Sequence, residues 1–439
     1  MFKETSKELL DFLSKSPTAF HAVENYRQIL NADGFKELLE SEHWDIVPGG
    51  KYYVTRNNTS ILAFKVGTKL ENYSFNIVTS HTDSPTFKVK ENAEIEVKNK
   101  YTQLNTEGYG GMLCATWLDR PLSIAGRVLV SEGNSIVTKL LNIDRDLLMI
   151  PNVAIHMNRA ANDGFKYNLQ VDMLPLLSAG DDRQKDFKQI IADELGVKKE
   201  DILGHDLYLY NRMAPSIWGA NEEFISAGHL DDLQCGFASL KALLAGYNDE
   251  SIDIMACFDN EEVGSGTKQG ADSTLLRDTL TRINSALGKT EEDYHRALAS
   301  SFMLSSDNAH AVHPNHPEHT DATNCTYMNE GVVVKSHAGQ KYTSDGVSMA
   351  VVKALASGAD VPLQYFANRS DKAGGSTLGN IAMAQASMNA VDIGLPQLAM
   401  HSSYETAGIK DTYYAITLMK ALFDSHIQET SAHSLEIKR

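Results

Sequence analysis

The stretch that decides the fold is residues 252–258, IDIMACF, which stops at the polar cluster beginning with Asp259. Similar short runs occupy residues 75–79 (FNIVT), 302–304 (FML) and 398–400 (LAM), and each stops at or just before polar residues. Near-continuous apolar runs are typical of strands buried on both faces of a mostly parallel sheet. Because sites in open α/β sheets form beyond the carboxyl ends of the strands, the four runs predict an α/β fold with a site at one sheet edge.

A different pattern fills residues 91–224. Residues 93–98 alternate polar and apolar side chains, and apolar runs flank the turn signal Glu132-Gly133-Asn134, which predicts a hairpin. The sequence therefore predicts a discontinuous α/β domain, residues 1–90 and 225–439, interrupted by an inserted β-rich unit.

Composition excludes several classes of protein. The 439 residues include 40 Lys and Arg against 57 Asp and Glu, a net charge of −17, so we expect no nucleic-acid or anionic-membrane partner. No run approaches the roughly 18 apolar residues of a membrane span. The four cysteines form no CxxC pair and the start of the sequence has no apolar leader, so a reducing, cytoplasmic location is predicted.

Two polar clusters follow predicted buried strands directly. His81 and Asp83 share one face of a strand, so Asp83 can orient the imidazole of His81 as a metal ligand. Glu261 and Glu262 are adjacent, so one can bind metal while the other stays free as a general base.

Two further positions leave alternatives open. Asp231 and Asp232 begin a predicted helix, where they either cap its N-terminus or bridge metal ions. His401 follows a short apolar run, and a lone histidine there is either structural or a ligand.

A histidine-rich segment follows residues 302–304. Asp307 is the favoured ligand, with His310 and His313 as site-wall or substrate-binding residues. Prolines in this segment argue against one helix presenting all the histidines on one face, so we assign His316 and His319 to a surface loop.

Taken together, these clusters supply two histidines, three carboxylates and one spare carboxylate. This is the inventory of a two-metal hydrolase, whose ions lie about 3.5–4 Å apart. Mixed imidazole and carboxylate ligands favour Zn²⁺, with Mn²⁺ or Co²⁺ as alternatives. One carboxylate must bridge the two ions, because five ligands cannot otherwise give each metal three.

The order and spacing of these residues resemble the M18 metallopeptidases, the aspartyl aminopeptidase family. The matching stretches are residues 80–85, 230–232, 259–265, 307–315 and 401–402. The resemblance implies a three-layer α/β/α zinc-peptidase domain, an inserted β-rich dimerisation domain, and assembly of dimers into a tetrahedral dodecamer.

The same resemblance implies a set of metal ligands. Asp231 would bridge the two ions, His81 and Asp307 would complete one site, and Glu262 and His401 would complete the other. Asp232 stands where many relatives have Asn, and we expect its charge to tighten metal binding or to shift the preferred ion.

The remaining implied roles concern the reaction. Glu261 would be the general base toward a metal-activated water, and Asp83 would orient His81. His156 resembles a histidine that family members lend to a neighbouring subunit's site. Lys335 resembles a lysine that meets acidic substrate side chains.

The implied function is removal of N-terminal residues from peptides, with a preference for Asp and Glu. The alternatives are an aminopeptidase for neutral residues, a non-catalytic shell or cargo assembly, and an amidohydrolase or carboxypeptidase with a similar two-metal core.

Overall fold

The computed structural model describes residues 1–180 and 186–439. In these residues the α-helices, numbered in chain order, are α1 (Phe2–Ser14), α2 (Ala19–Ala32), α3 (Phe187–Leu195), α4 (Leu230–Ala245), α5 (Leu275–Ala286), α6 (Glu291–Ala299), α7 (Gly346–Gly358), α8 (Leu378–Gln385) and α9 (Asp411–Phe423). None of these helices combines the length and hydropathy needed to cross a bilayer.

The strands of the same residues are β1 (Lys36–Glu37), β2 (Lys51–Arg56), β3 (Ser60–Val66), β4 (Ser74–His81), β5 (Thr86–Val97), β6 (Tyr101–Tyr109), β7 (Leu122–Glu132), β8 (Ser135–Asn142), β9 (Leu176–Ala179), β10 (Ile202–Asn211), β11 (Ser216–Trp218), β12 (Phe224–Ala227), β13 (Ser251–Phe258), β14 (Phe302–Ser306), β15 (Ala309–His310), β16 (Val332–Lys335), β17 (Leu363–Phe366), β18 (Asn389–Gly394), β19 (Pro396–Leu398), β20 (Glu405–Gly408), β21 (His426–Ser431) and β22 (Ser434–Lys438).

The largest sheet has nine strands in the order β1-β2-β3-β13-β4-β14-β18-β16-β17. Its centre is parallel, because β13 and β14 both run parallel to β4, and β18 runs parallel to β14. A five-stranded sheet has the order β11-β12-β20-β19-β15, and a six-stranded sheet has the order β8-β7-β10-β5-β6-β9.

Helices cover both faces of the nine-stranded sheet. Val78, Met255 and Leu304 point into a core shared with α1, α2, α4, α7 and α9. Their neighbours Ile77 and Ile254 point into a second core, shared with α5, α6 and α8. Since successive strand residues face opposite sides, a run that is apolar throughout requires a helix layer on each face. The fold is therefore the predicted three-layer α/β/α arrangement.

Three of the four apolar runs are confirmed as central strands. Residues 75–79, 252–258 and 302–304 lie in β4, β13 and β14, which are adjacent in the nine-stranded sheet. The prediction for residues 398–400 is wrong: β19 ends at Leu398, belongs to the five-stranded sheet, and is followed by Ala399 with φ of 57°. Three apolar residues contain too little information to specify a sheet, and here the pairing with β15 and β20 decides it.

The six-stranded sheet has a hydrophobic core of its own. Phe87, Trp117, Val128 and Leu207 are among its fully buried side chains, and α3 packs against them. The predicted hairpin is the β7–β8 pair. The strands of this sheet run from Thr86 to Asn211, and the domain limits 91 and 224 stay a prediction.

Candidate metal centre

Three central elements deliver side chains to one edge of the nine-stranded sheet. His81 is the last residue of β4, Asp307 directly follows β14, and Glu262 lies four residues beyond the end of β13. Asp231 comes from the first turn of α4, and His401 lies between β19 and β20. The parallel strands place their carboxyl ends together, which is why residues this far apart in sequence meet.

Asp231 lies at the centre of this cluster. Its Oδ1 is 3.5 Å from Nε2 of His81, and its Oδ2 is 3.3 Å from Nε2 of His401. Two three-residue groups share it: one adds His81 and Asp307, and the other adds Glu262 and His401. In each group the ligand atoms lie within 4.8 Å of one another. The two carboxylate oxygens of Asp231 therefore face two different ligand groups.

These spacings suit metal ligands better than direct hydrogen bonds. Ligand atoms about 2.0–2.1 Å from a tetrahedral zinc ion lie about 3.3–3.5 Å from each other. Oε1 of Glu262 is likewise 3.3 Å from Nε2 of His401. Oδ1 of Asp231 and Oε1 of Glu262 are buried and make no hydrogen bond. A cation between these atoms satisfies them, so the residues present fit a metal site.

The imidazole of His81 is held in place through Nδ1, the ring nitrogen that does not face Asp231. Its Nδ1 is hydrogen-bonded to the backbone carbonyl oxygen of Asp83 at 3.0 Å, while the carboxylate of Asp83 lies 3.5 Å away. This contact directs Nε2 toward Asp231. The carbonyl oxygen of Asp83, more than its side chain, thus orients the imidazole.

The carboxylate of Asp83 instead organises the turn that follows β13. It accepts the backbone N–H groups of Glu261 (3.1 Å) and Glu262 (3.2 Å). The hydroxyl of Tyr109, at the end of β6, donates to the same carboxylate at 2.7 Å and accepts from the side chain of Asn260 at 2.7 Å. Tyr109 also lines a separate cavity of about 390 Å³, whose walls include none of the five predicted metal ligands.

The residues after Tyr109 form a wall of the centre. The carbonyl oxygen of Gly111 accepts a hydrogen bond from Nδ1 of His401 at 3.1 Å, which turns Nε2 toward Asp231. Gly110 has φ of 74°, and a Cβ atom there would lie 3.1 Å from Cβ of Glu262. Glycine is required because the backbone is left-handed and approaches Glu262 closely.

The first turn of α4 does not use its two acids as caps. His229 occupies the N-cap position, and Asp231 and Asp232 have non-helical dihedral angles. Oδ2 of Asp232 accepts the backbone N–H of His81 at 3.1 Å. Of the two predicted roles, the geometry favours metal binding for Asp231, while Asp232 positions the strand end beside it.

Glu405 supports two of the ligands through their backbones. Its Oε2 accepts the N–H of Asp231 at 3.0 Å, and its Oε1 accepts the N–H of His401 at 2.7 Å. The side chain is buried, and burial is the main reason that its pKa rises to about 8.

Glu261 lies beside these carboxylates: it belongs to neither group around Asp231, but it forms a third group of potential ligands with His81 and Glu262. Burial raises its pKa to about 8; the positive charge of His81 opposes this, and Asp307 raises the pKa further. Burial together with Asp231 also raises the pKa of Glu262. So many buried acids are costly unless cations compensate them, which is a second reason to place metal here.

A cavity of about 150 Å³ opens onto the cluster. The five predicted ligands, Glu261, His310 and Lys335 all line it. Nζ of Lys335 donates to the carbonyl oxygen of Asn308 at 2.8 Å and lies 3.5 Å from Oδ1 of Asp307. The ring of His310 lies 6.2 Å, between centroids, from that of Phe366, which is also in the wall.

Two predicted site residues lie elsewhere in the chain. His313 is exposed and is not part of the cavity wall. His156 is exposed in the turn that contains Ile155 and Met157, and it is not part of the cavity wall of this chain.

The sequence reasoning missed Tyr109, Gly111 and Glu405. Glu405 was within reach, since it stands four residues after His401 in the same polar stretch. Tyr109 and Gly111 gave no signal, because both belong to the segment assigned to the β-rich insert and reach the centre only through folding.

Comparison with known proteins identifies the family. The profile described as aminopeptidase I zinc metalloprotease (M18) matches residues 12–423. A probable M18 family aminopeptidase 2 of Clostridium novyi (strain NT) is 48% identical, with 95% of this chain and 98% of that protein covered. A protein of the same description from Stutzerimonas stutzeri (strain A1501) is 39% identical, with 97% and 99% covered.

Solved structures agree with this result. The chain superposes on an Ape4 structure, determined in complex with Nbr1, with a TM-score of 0.93 and 35% identity, covering 96% of this chain and 86% of that one. It superposes on mApe1 of S. cerevisiae, described as a dodecamer, with a TM-score of 0.84 and 28% identity, covering 96% and 97%. The chain therefore belongs to the M18 family of zinc aminopeptidases.

Proposed function

We propose that this aminopeptidase works with two divalent ions, most simply Zn²⁺, and that Asp231 bridges them. The observation that supports this most directly is that the two oxygens of Asp231 face the Nε2 atoms of His81 and His401, at 3.5 and 3.3 Å. Asp307 would complete the ligands of one ion and Glu262 those of the other.

The bound ions would supply Lewis acidity, polarising the scissile carbonyl and making water a better nucleophile at neutral pH. Glu261 lines the same cavity and belongs to neither group around Asp231. It also lies within ligand distance of His81 and Glu262, but the two ions we propose take their ligands from the groups around Asp231, which leaves the carboxylate of Glu261 to take the proton of the attacking water. The same carboxylate then returns a proton to the nitrogen of the leaving amine. The carboxylate of Asp83 keeps Glu261 in place by accepting the backbone N–H of Glu261.

The variant Glu261→Gln tests the proton-transfer role. A positioned general base contributes about 10²–10⁴-fold to rate, so we expect kcat on an aminoacyl chromogenic substrate to fall by that factor. Zinc content should be unchanged, because Glu261 is not among the five proposed ligands. A matched control is Glu223→Gln, a partly exposed glutamate outside the cavity wall whose loss should leave kcat unaltered. Near-normal turnover of Glu261→Gln would refute the role.

We also propose that the cavity prefers N-terminal Asp and Glu, with Lys335 as the cation that meets their side chains. Lys335 is only 3% exposed and lies in the cavity wall. Burial lowers its pKa, but the negative charge of Asp307 and other neighbours more than offsets this, so the lysine stays protonated. The net charge of −17 does not oppose this, because charges beyond the Debye length of about 8 Å are screened.

Comparing kcat/KM for Asp and Leu substrates tests this preference. Lys335→Ala should lower the value for Asp and Glu substrates selectively, while Lys7→Ala, which removes a lysine whose side chain is 56% exposed, should change neither. An equal loss on Leu substrates would favour an aminopeptidase for neutral residues instead. Lys335→Ala also removes a neighbour of Asp307. That loss should lower kcat/KM for both substrates alike, so the ratio of kcat/KM for the Asp substrate to that for the Leu substrate reports the change in specificity alone.

The assembly we propose is a homo-oligomer, a dodecamer built from dimers, with the inserted unit, residues 91–224, as the dimerisation domain and residues 1–90 and 225–439 as the catalytic domain. Val153, Met157 and Val171 of this insert are exposed apolar side chains, at 54%, 83% and 69%. Such a surface is typical of a segment buried by another subunit. His156 lies in the same segment and would enter a neighbouring subunit's cavity.

Co-expression distinguishes a shared site from a self-contained one. His156→Ala and Glu261→Gln should each be nearly inactive alone. Randomly paired dimers of the two variants contain an intact site for about a quarter of subunits, so about a quarter of wild-type activity should return. If purified mixed dimers recover no activity, His156 does not act in the site of the neighbouring subunit. The dodecamer is tested separately, by analytical ultracentrifugation.

The proposed location is the cytoplasm. Cys114, Cys235, Cys257 and Cys325 are all free thiols. Free thiols are typical of a reducing compartment. Cell fractionation followed by immunoblotting would test this directly.

A further inference from the structure

A second cluster of potential metal ligands lies on the surface. His316, Glu318 and His319 each offer a ligand atom, and these atoms lie within 4.8 Å of one another. All three side chains are exposed. Within residues 1–180 and 186–439, every other group of this kind is built from the catalytic cluster, and none shares a residue with this one.

The local backbone explains why the three side chains converge. Pro317–His319 is a single 3₁₀ turn, and the N–H of His319 donates to the carbonyl oxygen of His316 at 3.2 Å. Side chains three residues apart are eclipsed in a 3₁₀ turn. The rings of His316 and His319 accordingly stack, with 5.4 Å between centroids and 20° between planes.

Glu318 completes the arrangement. Its Oε1 is 3.0 Å from Nδ1 of His316, so the carboxylate already lies beside one imidazole. The turn is fixed by contacts on both sides: the hydroxyl of Thr320 donates to the carbonyl oxygen of Pro317 at 2.8 Å, and Arg369 donates to that of Glu318. The three potential ligands therefore lie on a turn that these hydrogen bonds hold in place.

His313 does not belong to this set. Its ring lies near that of His316, with 5.5 Å between centroids. However, its Nδ1 accepts the backbone N–H of Asn315 at 3.2 Å, and His313 is not among the side chains whose ligand atoms lie within 4.8 Å of one another.

We propose that His316, Glu318 and His319 bind one additional divalent transition-metal ion, separate from the catalytic centre, with water completing its coordination. Two imidazoles and one carboxylate select ions such as Zn²⁺, Ni²⁺ or Cu²⁺ over Mg²⁺ and Ca²⁺, which prefer oxygen ligands throughout. The prolines of this segment, which argue against one helix presenting all its histidines, do not prevent chelation. Pro317 starts the 3₁₀ turn that aligns two of them.

Retention on a Ni²⁺-charged chelating resin tests the site in the untagged, metal-loaded enzyme. We expect the wild-type protein to be retained and the double variant His316→Ala/His319→Ala to lose most of that retention, with activity unchanged. The catalytic histidines cannot substitute on the resin, since His81 is 1% exposed and His401 lies inside the cavity wall.

The matched control is His43→Ala/His295→Ala. Each of these histidines is exposed and has one carboxylate nearby, Asp45 at 3.7 Å and Glu291 at 3.8 Å, but neither belongs to a three-ligand group. The control should be retained like the wild type. Equal retention of the cluster variant and the wild type, or equal loss in the control, would overturn the proposal.

Zinc stoichiometry gives an independent measurement. In a zinc-buffered titration, the wild-type enzyme should bind one equivalent per chain more than His316→Ala/His319→Ala, and Glu318→Gln should bind that equivalent more weakly. Equal stoichiometry for the wild type and the double variant would refute the site even if the resin result were positive.

Discussion

Glu405→Gln tests whether a residue that touches no metal sets the metal affinity of the centre. Glu405 is 2% exposed, and its two carboxylate oxygens accept the backbone N–H groups of Asp231 and His401 at 3.0 and 2.7 Å. Glutamine has the same shape but only one acceptor oxygen. Its NH₂ group would face one of these N–H groups, so one of the two hydrogen bonds is lost.

The expected magnitude follows from that single lost bond. Leaving a buried N–H group without its acceptor costs about 1–3 kcal/mol, and about 1.4 kcal/mol corresponds to a factor of ten in an equilibrium constant. If the loss falls on the positioning of Asp231 and His401, zinc affinity should fall about 10- to 100-fold. Replacing residues that orient metal ligands in other proteins has effects of this size.

The assay is activity measured against buffered free Zn²⁺. We expect the half-activating zinc concentration to rise about 10- to 100-fold in Glu405→Gln, with most of the activity recovered at saturating zinc. Glu223→Gln is the matched control, because Glu223 also accepts a backbone N–H, that of Asn221 at 2.7 Å, but on the surface. A zinc dependence of Glu405→Gln that coincides with the wild type would refute the reasoning.

Two further predictions concern Tyr109 and His21. Tyr109→Phe should lower kcat about tenfold at unchanged zinc content, because Asp83 loses one of the hydrogen bonds that hold it beside the turn containing Glu261. Steady-state kinetics and metal analysis measure the two quantities, and an unaltered kcat would contradict the prediction. Burial lowers the pKa of His21 from 6.5 to about 4, so the folded protein binds fewer protons than the unfolded chain between these values. The stability that neutral His21 contributes is present above pH 6.5 and lost as the pH falls to 4. The thermal midpoint of His21→Gln should therefore decline less steeply than that of the wild type over this range, and parallel declines would count against it.

The central strands could be predicted from the sequence because a strand that is buried on both faces corresponds to a short continuous run of apolar residues. In β4 and β13 every residue is buried, so the apolar run coincides with the strand. Residues 398–400 show the limit of this reasoning. Three apolar residues occur equally in a central strand and in a small accessory sheet, and only pairing with β15 and β20 distinguishes the two.

The candidate residues of the centre could likewise be chosen from residue types. Histidines and acids placed just beyond buried strands indicate a metal site, and the structure gathers His81, Asp231, Glu262, Asp307 and His401 around one cavity. The supporting contacts were not predictable. The hydroxyl of Tyr109 reaches Asp83 across 26 positions, and the carbonyl oxygen of Gly111 reaches His401 across 290, so no local pattern records either contact.

The amino-acid sequence alone thus determined which side chains are available to bind metal and which strands present them, because both depend on residue type and short-range periodicity. Only the tertiary structure decided that the two oxygens of Asp231 face different histidines, that Glu405 supports both Asp231 and His401, and that a 3₁₀ turn stacks His316 on His319. The physical reason is that a ligand set is defined by distances of a few ångströms. Such distances depend on how elements far apart in the chain pack against one another.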